Sequence, residues 1–425
     1  MTTNNKIFPL RGGASLLAFL ISLGLLGWGI QTYRDRRLET DCTLPPGSYQ
    51  EDCHFDKELI PGAALPNIVL IIIDAWRKDY CTPEASPKIW GFSKTGLRFD
   101  NYFVNAGYTK ASVASLLSGQ LPRFTKGVTN LGFEHLWAPG TDPSLYRRKL
   151  EAIDPLPPLL VTVPEILKNS RKYITIQAAQ NPMVGNVSGY GIRHWDLQID
   201  LGLEGLKFGG DTLVNRSLKE IRNLRKRGDK APFFLYVHLM DTHEPYDRSE
   251  MSKKKLALQT SYFATKYSGD IGLRSKLLPQ MKDFYARGVR FDDRQISRLV
   301  AGLEKIEPAS RTVYFVSADH GEMFNETGQS WNIAHGGNIP REIISVPMII
   351  FGGWIKPRVV EDLHQGIDLA PTILNLSGIA APPQMTGDNL IYGKGVDRLE
   401  AYSPFETVIV ARKGGSINLE REPLE

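Results

Sequence analysis

The run Ile68-Val69-Leu70-Ile71-Ile72-Ile73 is apolar at every position and ends directly on Asp74. A strand with one wet face alternates apolar and polar residues, whereas a run without alternation is covered on both faces, the condition of an interior strand in a parallel sheet wrapped by helices. Tyr173–Gln177, Phe233–Leu239, Val313–Ser317 and Val346–Phe351 read as further strands. Between them, amphipathic or capped stretches predict helices over Ala111–Ser118, Val163–Asn169, Asp211–Arg227, Asp292–Lys305 and Ile367–Leu376. This alternation predicts an α/β fold, with a central, mostly parallel sheet flanked by helices. Composition agrees. Over 425 residues, 42% apolar and 23% charged positions exclude disorder, collagen and a polytopic membrane protein. A formal charge of +5, with no Lys/Arg stripe interleaved with aromatics, argues against a nucleic-acid partner.

The amino-terminal segment is a different material. Residues 14–30 carry no charge and lie between Lys6 and Arg11 on one side and Arg34, Arg36 and Arg37 on the other. At about 1.5 Å per residue this stretch just crosses a bilayer, and Gly27-Trp28-Gly29-Ile30-Gln31 has no small-residue cleavage pattern. The sequence therefore predicts a basic segment over 1–13, a single-pass transmembrane anchor over 14–30, a Pro- and Gly-punctuated linker over 31–65 and a globular domain over 66–425. Basic residues on both flanks leave the orientation open. Cys42 and Cys53 either close a short loop in an oxidising compartment or stay as thiols, with Cys81 unpaired in both cases. A loop there favours a domain exported to the periplasmic or extracellular side.

In parallel α/β sheets chemistry gathers at the carboxyl ends of the strands. Asp74 follows the first strand, and Val313–Ser317 leads into Ala318-Asp319-His320-Gly321-Glu322. Two carboxylates and an imidazole from separate strand ends suit a Zn²⁺- or Mn²⁺-like ion, so Asp74, Asp319 and His320 are candidate metal ligands. Thr109 opens a short helix that stops at Gly119. It is either a plain helix cap or a metal-touching alcohol nucleophile, since a helix N-terminus and a cation both favour an alkoxide. Lys110, next in line, is a candidate contact for an anionic substrate oxygen. His238 faces inward on an apolar strand and reads as a core histidine.

Taken in order, Asn67–Asp74, Thr109–Gly119, Phe233–Tyr246, Val316–Glu322, Ile333–Pro347 and Gly366–Leu374 resemble the sulfatase family of the alkaline phosphatase superfamily. The resemblance covers about residues 66 to 380. It implies an alkaline-phosphatase-like sheet, an enzyme acting on ester bonds and one divalent metal ion (Zn, Mn or Ca). It also gives His243 and His335 catalytic and substrate-contacting roles. The segment 248–281 is the least family-like and reads as a solvated insertion or lid.

The departures are specific. Where sulfatases proper carry Cys or Ser in a C/S-x-P-x-R pentapeptide matured to formylglycine, this chain has Thr109-Lys110-Ala111-Ser112-Val113. Ala75 stands where sulfatases tend to have a second Asp. A Thr with Asp, Asp and His is similar to the phosphoryl-transferring branch, exemplified by lipoteichoic acid synthases and lipid A phosphoethanolamine transferases. The expected activity is cleavage of phosphoester or phosphodiester bonds through Thr109, by hydrolysis or transfer, on a phosphorylated or sulfated ester of a lipid or glycan. The alternatives are a sulfuric ester hydrolase and a non-catalytic envelope sensor or lipid-binding protein, the latter because Asp74-Ala75-Trp76-Arg77 also resembles the periplasmic domain of such a protein.

Overall fold

A computed structural model describes residues 65–125, 155–157, 160–170, 172–185, 194–201, 209–326, 333–403, 405–413 and 416–423. The anchor, most of the linker, Cys42 and Cys53 lie outside the described residues. Among the described residues no helix is long and apolar enough to cross a membrane.

Strand β1 (Asn67–Ile73) is buried at every position, as a run without alternation requires. It lies between β5 (Phe233–Leu239) and β6 (Thr312–Ser317), parallel to both, with Ile68 opposite Phe234 on one side and Val313 on the other. The remaining strands of this sheet are β2 (Leu97–Phe103), β3 (Ile174–Ala179), β4 (Leu197–Asp200), β7 (Met348–Gly352) and β8 (Arg358–Gln365). The eight strands are ordered β8-β2-β7-β6-β1-β5-β3-β4. All run in one direction except β7, which is antiparallel to both β2 and β6. A second, antiparallel sheet holds β9 (Arg398–Tyr402), β10 (Glu406–Lys413) and β11 (Ser416–Pro423). It is fastened to the first by a bridge between Ala106 and Tyr402 and by Asn105, whose Nδ2 donates to the Glu400 carbonyl at 2.8 Å.

The helices used below are α1 (Pro87–Ser93), α2 (Thr109–Ser118), α3 (Val163–Asn169), α4 (Gly210–Lys226), α5 (Lys253–Ser268), α6 (Ile271–Glu304) and α7 (Leu369–Leu376). Helix α4 buries Leu213, Val214, Leu218, Ile221 and Leu224, a helical stripe, against the sheet and α6. The segment 248–281, read from sequence as a solvated loop, is instead helical: it holds α5 and the first turns of α6. Ser252 caps α5 by accepting from the Lys255 N–H, and Asp270 caps α6 by accepting from the Leu273 N–H at 2.8 Å. Only Asp292–Lys305 was legible as helix because Pro279, a helix breaker by composition, sits inside α6. Leu277, Met281, Tyr285, Val289, Ile296, Leu299 and Leu303 keep its buried stripe continuous across that proline.

Candidate active site

The carboxyl ends of β1, β3, β5 and β6 are neighbours in the sheet, so the residues that follow them converge although they are far apart in the chain. Asp74 leaves β1 with its N–H donating to the Leu239 carbonyl at 2.9 Å and its own carbonyl accepting from Thr242 Oγ1 at 2.5 Å. Ala75 takes a left-handed φ of 60°, a costly conformation for a residue with a Cβ. The turn aims the Ala75 N–H at Asp319 Oδ1, 3.3 Å away, while the Ala75 carbonyl accepts from Tyr285 Oη at 2.7 Å. Thus the position where sulfatases tend to carry a second acid supplies a backbone donor instead.

Thr109 is the first residue of α2, and Tyr108 occupies the cap position, so Thr109 is not a plain N-cap. Ser112, one turn on, donates from Oγ to the Asp319 carbonyl at 2.5 Å and ties α2 to the end of β6. The chain stops helix α2 at Gly119 with φ 62°. Lys110 is buried beside Thr109 in the first turn.

His320 is oriented by its own backbone: Nδ1 donates to the Gly321 carbonyl at 2.8 Å, which leaves the Nε2 lone pair for the site. A Cβ on Gly321 would stand 1.9 Å from the Glu342 carbonyl oxygen, so only glycine allows this close approach. Around His320 Nε2 lie Thr109 Oγ1 at 3.4 Å, Asp74 Oδ1 at 3.5 Å and Asp319 Oδ2 at 3.6 Å. Ligands bonded tetrahedrally to one ion at about 2.0 Å stand about 3.3 Å apart. Asp74 Oδ1 and Asp319 Oδ2 are fully buried and have no hydrogen-bond partner, a costly state for carboxylate oxygens unless a cation neutralises them. These four groups therefore fit a divalent ion.

The electrostatics agree. Burial would raise Asp74, but the charge of His243 and the hydrogen bond from His238 outweigh it and hold the carboxyl well below its usual range. Burial lowers His320 from its ordinary value and the Asp319 charge counters this only in part, so the ring favours the neutral form a metal ligand needs.

The second group of predicted residues flanks the first. His335 sits between His320 and His243, tilted against the first and edge-on to the second, with ring centroids 4.2 Å and 4.8 Å away. His243, His335 and Glu244 bring one ligand atom each within 4.8 Å of one another, a spacing that fits a cation or the oxygens of a bound ester. His243 Nδ1 donates to the Glu244 carbonyl at 2.7 Å, which turns Nε2 outward. His335 Nδ1 lies 3.3 Å from Glu322 Oε1, and Glu322 Oε2 accepts from Tyr246 Oη at 3.1 Å. Burial and the neighbouring Glu244 charge push the Glu322 carboxyl up to about 8. Asp74, Thr109, Asp319 and His320 thus come together, with His243 and His335 beside them.

Sequence reasoning missed several members. Asn181, just past β3, donates from Nδ2 to Asp74 Oδ2 at 2.5 Å and lies 3.5 Å from Thr109 Oγ1. Its one visible signal was a polar residue at a strand's carboxyl end. His238 is a satisfied buried histidine, as read, yet one of its partners is Asp74 Oδ2 at 3.0 Å, so it belongs to the site wall. Glu322 stood in the quoted Asp319–Glu322 segment without a role, and Glu244 beside His243.

Comparison with known proteins follows the same lines. Arylsulfatase K of Mus musculus is 26% identical over 115 residues, 27% of this chain and 20% of that protein. The 2,3-bisphosphoglycerate-independent phosphoglycerate mutase of Agrobacterium fabrum is 38% identical over 104 residues, 23% of this chain and 18% of the mutase. The matched stretches span about a fifth of these curated relatives. In fold, the phosphonate monoester hydrolase of Agrobacterium radiobacter superposes with a TM-score of 0.60 at 16% identity, covering 84% of this chain and 89% of that one. A family model described as Sulfatase matches residues 66–379, and with the alkaline-phosphatase-like sheet described above the chain belongs to the sulfatase family.

Proposed function

We propose that this chain is a membrane-anchored, metal-dependent enzyme that cleaves phosphoester or phosphodiester bonds through Thr109, by hydrolysis or by transfer to an acceptor hydroxyl. The observation that carries this reading is the set of Thr109 Oγ1, Asp74 Oδ1 and Asp319 Oδ2 at 3.4–3.6 Å around one imidazole nitrogen, with both carboxylate oxygens otherwise unpartnered. Asp74, Asp319, His320 and Thr109 would hold one divalent ion. Such an ion supplies Lewis acidity, lowering the pKa of an alcohol and offsetting charge on the ester oxygens. Thr109 Oγ1, its proton released to solvent as the site takes up its ion, attacks phosphorus in line. The bond from phosphorus to the alcohol oxygen breaks as the new O–P bond forms, and His243 or His335 protonates the departing oxygen. Lys110 counters a non-bridging oxygen, a contact worth about 1–3 kcal/mol. Water or an acceptor hydroxyl then releases the group from Thr109.

The phosphorus preference rests on Thr109-Lys110-Ala111-Ser112-Val113, which lacks the Cys, Pro and Arg of sulfatase maturation. A phosphoglycerate mutase and a phosphonate monoester hydrolase among the similar proteins bear names that point to phosphorus compounds. The name of arylsulfatase K points to the second reading, sulfate ester hydrolysis, which in this chain would proceed without formylglycine. The proposed substrate is an ester on a lipid or glycan, reached by a catalytic domain spanning 66–425 that is held on the exported side by residues 14–30. Intact-mass analysis after incubation with aryl phosphate mono- and diesters and an aryl sulfate tests the reading. An adduct on Thr109 from a phosphorus ester is expected; an adduct from the sulfate alone would reverse the ranking, and none from any ester would favour a scaffold.

A further inference from the structure

The two oxygens of Asp74 live in different surroundings. Oδ1 has no partner, while Oδ2 takes Asn181 Nδ2 at 2.5 Å and His238 Nε2 at 3.0 Å. Neither donor is free to turn away. Asn181 Oδ1 accepts from the Met183 N–H at 2.8 Å and the Asn181 carbonyl from the Val184 N–H at 3.3 Å, a closed turn that fixes which end of the amide faces the site. The Tyr236 hydroxyl stands 2.6 Å from His238 Nδ1. Were Nδ1 the protonated nitrogen, the lone pair of Nε2 would face the lone pairs of Asp74 Oδ2 at 3.0 Å. The hydroxyl therefore donates to Nδ1, and Nε2 carries the ring proton toward Asp74. Both side chains are buried, so no water competes for either contact.

We propose that Asn181 and His238 are positioning residues that occupy Asp74 Oδ2 and so restrict Asp74 to a single coordinating oxygen, making the site selective for a small, low-coordinate ion such as Zn²⁺ over Ca²⁺. Calcium takes six to eight oxygen ligands at about 2.3–2.6 Å and uses both oxygens of a carboxylate freely; zinc is satisfied by four ligands at about 2.0–2.2 Å, nitrogen included. The donor set offers a nitrogen from His320, one oxygen each from Asp74 and Asp319, and Thr109. The second amide hydrogen of Asn181 points along the 3.5 Å separation to Thr109 Oγ1, so one side chain holds both the ligand and the nucleophile on the same side. The inference rests on the metal-site reading given above, and concerns which ion that site prefers.

Chelator competition with Zn²⁺ and Ca²⁺ on the full-length chain in detergent measures it without any substrate. The native chain is expected to bind about one Zn²⁺ and to disfavour Ca²⁺. Asn181→Ser keeps the turn, since a serine oxygen can accept the Met183 N–H, and removes both donors. It is expected to weaken Zn²⁺ about 10- to 100-fold, the usual effect of losing an outer partner, and to narrow the Zn²⁺/Ca²⁺ ratio. His238→Phe is expected to do the same, and His238→Gln, whose amide nitrogen can stand near Nε2, to restore most of the ratio. Thermal unfolding of each metal-free variant verifies folding. A purely structural role would lower that midpoint and leave the ratio of the two affinities untouched, and this result would overturn the proposal. Asp319→Ala separates the levels: if it leaves Zn²⁺ binding intact, the metal-site reading itself is wrong, whereas loss in Asp319→Ala with native selectivity in Asn181→Ser and His238→Phe overturns only the clamp.

Discussion

Thr109 is 4% exposed, so its hydroxyl meets only the groups the fold brings to it. Replacement by alanine removes the attacking oxygen and is expected to lower phosphoester turnover by about 10³-fold or more, with substrate-independent Zn²⁺ binding weakened far less, because three ligands remain. Thr109→Ser keeps the oxygen and should retain most of the rate; steady-state kinetics of the pair distinguish a nucleophile from a packing residue. At His335 the expectation depends on the substrate. With Nδ1 facing Glu322, the other ring nitrogen is the one placed to give a proton to a departing alkoxide. His335→Ala should therefore slow alkyl esters by about 10²- to 10⁴-fold while aryl esters with acidic leaving groups lose much less. Equal loss on both classes would assign His335 to binding. At this scale the candidates that directly follow a strand, Asp74, Asp319 and His320, were legible, and the fold brings them together. Asn181 and Glu322 were opaque because their roles come from partners fixed by tertiary packing, which no spacing along the chain reveals.

Among the elements, β5, α4 and α6 meet at a buried acid pair. Asp241, just past β5, accepts from the Gly210 N–H at 2.8 Å at the start of α4, and the buried carboxyl of Asp292 on α6 lies close enough for each to feel the other's charge. Burial pushes Asp241 up to about 6, and burial with the Asp241 charge holds Asp292 well above its usual range. The folded protein thus keeps protons that the unfolded chain releases above its ordinary carboxylate pKa of 3.8, so this contribution is complete below that value and is lost as pH rises through about 6. Asp292→Asn removes the like charge and retains hydrogen-bonding capacity. It is expected to flatten the fall of the unfolding midpoint between about pH 4 and 6; an unchanged slope would place its source elsewhere. Strands β1 and β5 were legible because every position but Asn67 in the one and His238 in the other is apolar, with β6 apolar between Thr312 and Ser317. Strand β2, Leu97–Phe103, alternates with Arg98, Asp100 and Asn101, and β8 carries Arg358, Glu361 and Asp362; both sit at the sheet's far side, where partial exposure dilutes the pattern. Helix α6 was half hidden by Pro279 for the reason given above.

For the whole molecule, the α/β architecture and its mostly parallel sheet followed from the order of the apolar runs, while the helical character of 253–291 and the outer strands of the partner sheet, β9 and β11, did not. The latter include charged strands such as Ser416–Pro423, whose pairing depends on neighbours formed nearby in the chain and not on an apolar signature. At this scale the expectation concerns location. Removing residues 1–30 should shift the protein from the membrane pellet to the supernatant after lysis and ultracentrifugation, with metal binding by the remaining chain preserved; continued pelleting without that segment would mean another means of attachment.

The order of strands in the main sheet also constrains biogenesis. Ala75 and Asp319 touch across 244 positions of chain, and β6, which delivers Asp319, is made long after β1. A nascent chain therefore lacks the second carboxylate until residue 319 has been synthesised, and pairings of such long range close slowly. Under the proposed function, metal binding and catalysis would both arrive as a late event, and a product terminated before Asp319 would have neither.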